Sequence, residues 1–453
     1  MRGRIALVTD GNLPLEGRTI WMVRAAGTPV LVGERLGEGG QGVVHAAQIG
    51  GASCAVKWYR AVPKPKELRD SVAALIDNGC PHPAFIWPFD LVASNEIPGF
   101  GYVMPRLDPA FQSLAELLGR TRAPPFRIMI NIGLHLVAAF EALHGAGLCY
   151  RDINPKNLWV DVGKGEVAII DNDNVGTDDA EVFVWGTSGF MAPEVVRRER
   201  FPTGHTDLHS LAVLLFYLFV HGHPLEGVKA EAAYAWASSR PSESEAAMRT
   251  YGLEPVFVFD PRNPANPPSP GDPMLTWWPI YPRFIQELFE QAFTVGLTNP
   301  ITGRVPEGIW RRALNRLGDC VSRCQCTASL FYDPDDPGLR CWNCVEVPIR
   351  PPLLQLPGGT VVLADGANIT SHHLHRDRNH DTVIGLVEAH PTKPGEVVLR
   401  NVGPDNWVMM PEGESAIAVP SKRRLGVRTM VIDFGSVQGR SASTRHCPLA
   451  GAR

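Results

Sequence analysis

The sequence predicts an α+β chain: a strand-rich beginning, a helical middle, a small cysteine module, and an all-β domain at the end. Three features carry this expectation. Residues 1–60 alternate apolar and polar with glycine punctuation, the pattern of strands and hairpins. Two apolar stretches, 126–144 and 211–220, read as buried helices. Paired cysteines over 324–344 are followed by valine-rich, glycine-broken segments to about residue 440, a second strand-rich region. At 453 residues the chain has room for roughly three domains of ~150 residues. A net charge of -4 gives no reason to expect nucleic-acid binding. The run Leu211–Val220 is ten residues, about half of a bilayer span, and residues 1–30 lack a basic-then-apolar signal pattern. The expectation is a cytoplasmic protein with no membrane partner, its nine cysteines kept reduced.

Within the first strands, Leu36-Gly37-Glu38-Gly39-Gly40-Gln41-Gly42-Val43-Val44 has the form G-x-G-x-x-G-x-V. Glycines let backbone amides approach phosphates, and a following strand sets this loop apart from the helix-opening dinucleotide fingerprint. Ala55-Val56-Lys57 then ends an apolar strand in a lysine. Residues 64–79 form a helix that should carry an acidic partner for Lys57, with Glu67 and Asp70 both open as candidates. Gly101–Leu107 reads as a strand and hinge in which Pro105 has no N–H to donate.

After the 126–144 helix comes Cys149-Tyr150-Arg151-Asp152-Ile153-Asn154-Pro155-Lys156-Asn157, with Asp152 and Asn157 five residues apart. A hairpin around Gly163 leads to Val167-Ala168-Ile169-Ile170-Asp171, bringing three polar side chains to one edge of a cleft. Gly186-Thr187-Ser188-Gly189-Phe190-Met191-Ala192-Pro193-Glu194 closes the next segment. His205-Thr206-Asp207-Leu208-His209-Ser210-Leu211 opens the apolar helix, and Arg304 follows much later. Seven prolines between 255 and 273 suggest an exposed insertion, either a solvated connector or a docking loop.

In this order the fragments resemble a eukaryotic-type Ser/Thr protein kinase domain over roughly residues 30–318. The likeness extends to the divergent bacterial kinases of tellurite-resistance phosphorylation triads, through the glycine loop, Ile170-Asp171-Asn172-Asp173 and Gly222-His223-Pro224-Leu225-Glu226-Gly227. The resemblance implies a bilobal kinase fold, with an N-lobe over 1–104, a C-lobe over 105–318, and ATP and Mg2+ between them. It implies Asp152 as catalytic base, Asn157 and Asp171 as magnesium ligands, and Lys57 as the clamp on the α- and β-phosphates. Gly37, Gly39, Gly40 and Gly42 would cover the phosphates, with Val44, Ala55 and Met104 lining the nucleotide site. Asp173 would add a second carboxylate near the metal, and Glu194 would pair with Arg304. Asp207 is expected to bond the backbone of the catalytic loop, and Thr187 to bond Asp152. Thr177 or Ser188 is expected to be autophosphorylated, with Arg151 receiving the phosphate. The implied partners are a protein substrate, a von Willebrand A-type protein and a type 2C phosphatase.

There are departures. Tyr150 replaces the usual histidine, and Asn154 replaces the lysine that contacts the γ-phosphate. Asp173 stands where the usual D-F-G has glycine, and Asp tolerates a positive φ better than most residues. Asn154 and the unassigned acid motivate an alternative, a nucleotide-binding pseudokinase scaffold. A small-molecule kinase is disfavoured by the Glu194 and Arg304 signatures. Asp433-Phe434-Gly435 spells the magnesium motif in a strand-rich setting and reads as a strand-end turn.

Cys324, Cys326, Cys341 and Cys344 form two knuckles around a turn-rich tip, matching a structural four-thiolate Zn2+ site, a zinc ribbon over 319–350, with Cys320 in reserve. Cys54, Cys80 and Cys149 read as core thiols. Residues 351–440 are expected to form a β-rich domain, and 383–439 are similar to the later half of forkhead-associated (FHA) domains, an FHA-like sandwich without the phosphate-reading pairs in order. His372, His373, His375 and His380 read as a solvated polar loop, and 441–453 as a disordered tail.

Overall fold

The computed structural model describes residues 15–442 apart from 41, 60–63, 121–122, 181–183, 239–242, 335, 337, 394, 428 and 436. The expected tail therefore lies outside the described residues except for its first two, which end a strand.

β1 (Thr19–Met22), β2 (Pro29–Glu38), β3 (Gly42–Ile49), β4 (Ala52–Tyr59), β5 (Asp90–Ala93) and β6 (Gly101–Pro105) close a barrel in the order β1-β2-β3-β4-β6-β5. Its register places Val44 opposite Lys57, Ala55 opposite Met104, and Lys57 opposite Tyr102. α1 (Pro65–Asn78) begins with proline in its first turn, where no N–H is required. Leu68, Val72 and Leu75 recur at helical spacing and form its buried stripe; Leu68 and Val72 pack with Tyr59 and Tyr102. Each such side chain contributes about 1.5–3 kcal/mol by leaving water.

In the lower lobe, β7 (Gln112–Ser113), β8 (Leu158–Asp161) and β9 (Glu166–Ile169) form a small sheet beside α2 (Leu114–Leu118) and α3 (Phe126–Gly145). α4 (Pro193–Val196) precedes α5 (Gly204–Val220), which starts at a Thr203–Thr206 capping box. α5 is apolar almost all round because it runs through the core. α3 is long and apolar enough to cross a membrane, yet 56% of its apolar window is buried within the protein.

The proline-rich stretch is mostly exposed but anchored at a few points. Phe257 and Val258 are buried in the lobe's core, and the Asn266 amide donates to the Leu225 and Val256 carbonyls at 3.0 and 2.8 Å. The stretch is thus an exposed insertion, as expected, pinned to the lobe through Phe257, Val258 and Asn266.

Next, Val321–Arg323 pairs antiparallel with Ser329–Phe331, and Phe331 stacks on Phe126 of α3 at 4.6 Å. The final region has two sheets, six strands from Gly359–Val362 across to Ile417–Val419 and four from Asn368–Thr370 to Arg424–Gly426. Leu354, Val361, Ile369, Leu399, Trp407 and Ile432 from both sheets share one core, a sandwich. It meets the lower lobe where His373 Nε2 lies 3.1 Å from Asp319 Oδ2. The His372 and His380 rings lie nearby, 4.2 Å apart and tilted by 35°. Asp433-Phe434-Gly435 ends a strand, with Gly435 at φ 95° and its N–H on Asp433 Oδ1 at 2.8 Å.

Candidate active site

Backbone strain and buried carboxylates shape the loop that carries Asp152. Arg151 sits at φ 73°, a left-handed conformation that needs outside support. Asp207 of α5 supplies it, accepting the backbone N–H groups of Tyr150 and Arg151 at 2.5 and 3.0 Å. The Tyr150 hydroxyl donates to the Ile170 carbonyl, tying this loop to the strand leading to Asp171. Asn154 is buried, with its amide on the Asp152 carbonyl at 3.0 Å and its oxygen accepting from the Lys156 N–H at 2.9 Å. It therefore shapes the turn and adds no charge, while Lys156 is the exposed cation of that turn.

The polar residues converge. Asn157 Nδ2 donates to the Asp152 carbonyl at 3.0 Å and to its Oδ2 at 3.3 Å. The Ile170 N–H donates to the Asn157 carbonyl at 2.9 Å, which sets Asp171 beside it. Thr187 Oγ1 donates to Asp152 Oδ1 at 2.7 Å. From the upper lobe, Lys57 Nζ reaches Asp171 Oδ1 at 2.5 Å. Gly37, Gly39 and Gly40 have open space where a side chain would stand, whereas a Cβ on Gly42 would meet the Trp58 carbonyl. Val44 and Ala55 lie on the adjoining strands, and Met104 is buried directly opposite Ala55.

Two expectations about the acids change. Glu67 and Asp70 are exposed on α1, because the stripe facing Lys57's neighbours is apolar. Asp173 meets Lys57 instead, at 2.9 and 2.8 Å, and also accepts the Tyr59 hydroxyl. Nor does Asp173 need a positive φ. Residues 172–174 form a 3-10 turn, and the left-handed residue is Asp171 at φ 61°. Burial works against charge on Lys57, but Asp173 and Asp171 hold its proton well above the ordinary lysine range. Burial likewise opposes charge on Asp173, yet Lys57 and Tyr59 bring it below the usual carboxylate range. Asp171 is pushed up by burial and by Asp173.

Sequence reasoning also missed His144. Its ring bridges Asp207, at 3.2 Å, and Glu307 of the helix Glu307–Asp319. Burial opposes its charge, but these two carboxylates raise it to about 9. A histidine held this way stabilises the fold below its ordinary value of 6.5 and loses that contribution as pH rises through about 9. The full effect is about 3 kcal/mol. Melting temperatures should fall more steeply across this window for native protein than for His144→Gln; equal slopes would refute it.

The activation-segment hydroxyls Thr177 and Ser188 are both exposed. The Arg151 guanidinium donates to the Thr177 and Ala180 carbonyls at 2.8 and 3.3 Å, so it already braces that segment. Glu194 and Arg304 form a buried pair in which Nη2 of Arg304 donates to both Glu194 oxygens, at 2.7 and 2.8 Å, while its Nη1 donates to the His205 carbonyl at 2.7 Å.

Outside the cleft, the sulfurs of Cys324, Cys326, Cys341 and Cys344 lie within 4.8 Å of one another. The Cys324–Cys344 and Cys326–Cys341 separations are both 3.6 Å. A tetrahedral zinc with ~2.3 Å bonds spaces its sulfurs ~3.8 Å apart, so the four thiols fit that ion. Among the described residues no other set of three or more His, Cys, Asp or Glu side chains converges in this way, the four histidines included. Cys320 caps the preceding helix; Cys54 and Cys149 are buried, but Cys80 is exposed.

Residues 31–250 match the protein kinase domain family, so the chain carries a protein kinase domain there. The chain is similar to the serine/threonine-protein kinase AfsK of Streptomyces coelicolor, 28% identical over 203 residues, 42% of this chain and 24% of that protein. It is similar to a probable serine/threonine-protein kinase of Clostridium perfringens, 26% identical over 121 residues, 26% of this chain and 17% of the other. Ribosomal protein S6 kinase alpha-6 of Danio rerio is 35% identical over 99 residues, 20% and 13% of the two chains. The alignments thus span about a quarter or less of these relatives' lengths.

Proposed function

We propose that this protein is an ATP- and magnesium-dependent Ser/Thr protein kinase. The observation that carries the reading is the meeting of Lys57, from the upper lobe, with Asp171, beside Asp152 and Asn157, from the lower. Asp152 takes the acceptor hydroxyl's proton as the new bond to the γ-phosphorus forms and the bond to the β-phosphate oxygen breaks. Lys57 holds the α- and β-phosphates, and the glycine loop closes over them. Met104, Ala55 and Val44 line the nucleotide's base end. Asn157 and Asp171 would hold magnesium, which when bound neutralises phosphate charge. Lacking a lysine at 154, the site has less charge at the γ-phosphate, and slow turnover is expected.

The four thiols hold structural zinc, and a reducing cytoplasm is the matching compartment. The sandwich is an FHA-like module that does not read phosphopeptides. The von Willebrand A-type and type 2C phosphatase partners are proposed from the likeness to the phosphorylation-triad kinases. The test is γ-phosphate transfer from radiolabelled ATP to the protein itself and to casein, with and without magnesium. Native protein should label both only with magnesium, and Asp171→Ala should label neither. Nucleotide binding with no transfer would instead make the chain a pseudokinase scaffold.

A further inference from the structure

The lysine clamp needs a carboxylate to hold its ammonium at the phosphates, and α1 offers none on the face it turns inward. Leu68 and Val72 occupy that face, 2% and 0% exposed, and helical geometry sends Glu67 and Asp70 to solvent. Asp173 has no exposed side-chain surface, and Lys57 binds both of its oxygens, at 2.9 and 2.8 Å. The Tyr59 hydroxyl donates to the same carboxylate, and Tyr102 is fully buried beside it. With these donors around it, Asp173 has little left to offer a metal. Asp171 differs: its side chain stays 39% exposed and makes one 2.5 Å bond to Lys57.

Resting on the kinase reading, we propose that Asp173 is the positioning residue for Lys57, a duty moved from helix α1 to the metal-binding turn, and that Asp171 alone of the two faces magnesium.

The experiment compares native protein, Asp173→Asn, and Leu68→Glu/Asp173→Asn, all as full chains. It measures autophosphorylation kinetics, the magnesium midpoint, and binding of a fluorescent ATP analogue without magnesium. Removing one charge-assisted partner of Lys57 should weaken both nucleotide binding and kcat/KM by about 10- to 100-fold. The magnesium midpoint should not move, and a glutamate at 68 should restore part of the loss. Unchanged nucleotide binding, or a shifted magnesium midpoint, would overturn the assignment. Should Asp173→Asn not fold, Tyr59→Phe removes one bond to the same carboxylate. It should weaken analogue binding with the magnesium midpoint fixed, and unaltered binding would overturn the assignment equally. Native protein that transfers no phosphate refutes the kinase reading, and the binding arm then decides the role of Asp173 independently.

Discussion

Asp152→Asn should lower kcat for phosphate transfer by about 10²- to 10⁴-fold, the usual contribution of a general base. The KM for ATP should barely change, because the Lys57 clamp and glycine loop remain. The substitution keeps the shape of the site: the Asn157 amide also bonds the Asp152 backbone carbonyl, and that bond survives. Steady-state rates with radiolabelled ATP and casein settle it. Transfer at the native rate would remove Asp152 from the chemistry.

Cys341→Ser should have the largest effect on stability. Structural zinc contributes about 10–16 kcal/mol in small zinc modules at neutral pH, far beyond what a hairpin of two short strands supplies. One zinc per chain is expected in the native protein, and its loss in the variant. The damage should spread, because Cys320, Val321 and Phe331 belong to the lower lobe's core, where Phe331 stacks on Phe126. Limited proteolysis should cut between 320 and 350 in the variant and after chelation of native protein. Native material that purifies without zinc and resists protease would refute the site.

The motifs legible in the sequence were those whose residues lie close along the chain. Asp152 and Asn157 share one loop, and the hairpin behind them delivers Asp171, so spacing alone anticipated their meeting. The Glu194–Arg304 pair was legible only through resemblance, since 110 residues separate the two. What stayed hidden depended on which way a helix turns. Glu67 and Asp70 looked suitable by type, but the Leu68–Val72 stripe decides which side of α1 is buried. The acid was instead Asp173, 116 residues beyond Lys57, and no local pattern measures that approach. His144 was hidden for the same reason, as its two carboxylates come from separate helices. In the 255–275 stretch the proline count outweighed Phe257, whose burial only tertiary packing reveals.

A helix relieved of its acid has no ion pair to break when it moves. In this chain the counter-ion of the ammonium comes from the turn after Asp171, and α1 touches that pair through the packing of Leu68 and Val72 against Tyr59, whose hydroxyl bonds Asp173. Leverage on that helix would therefore reach the lysine through an apolar contact and not through a broken salt bridge.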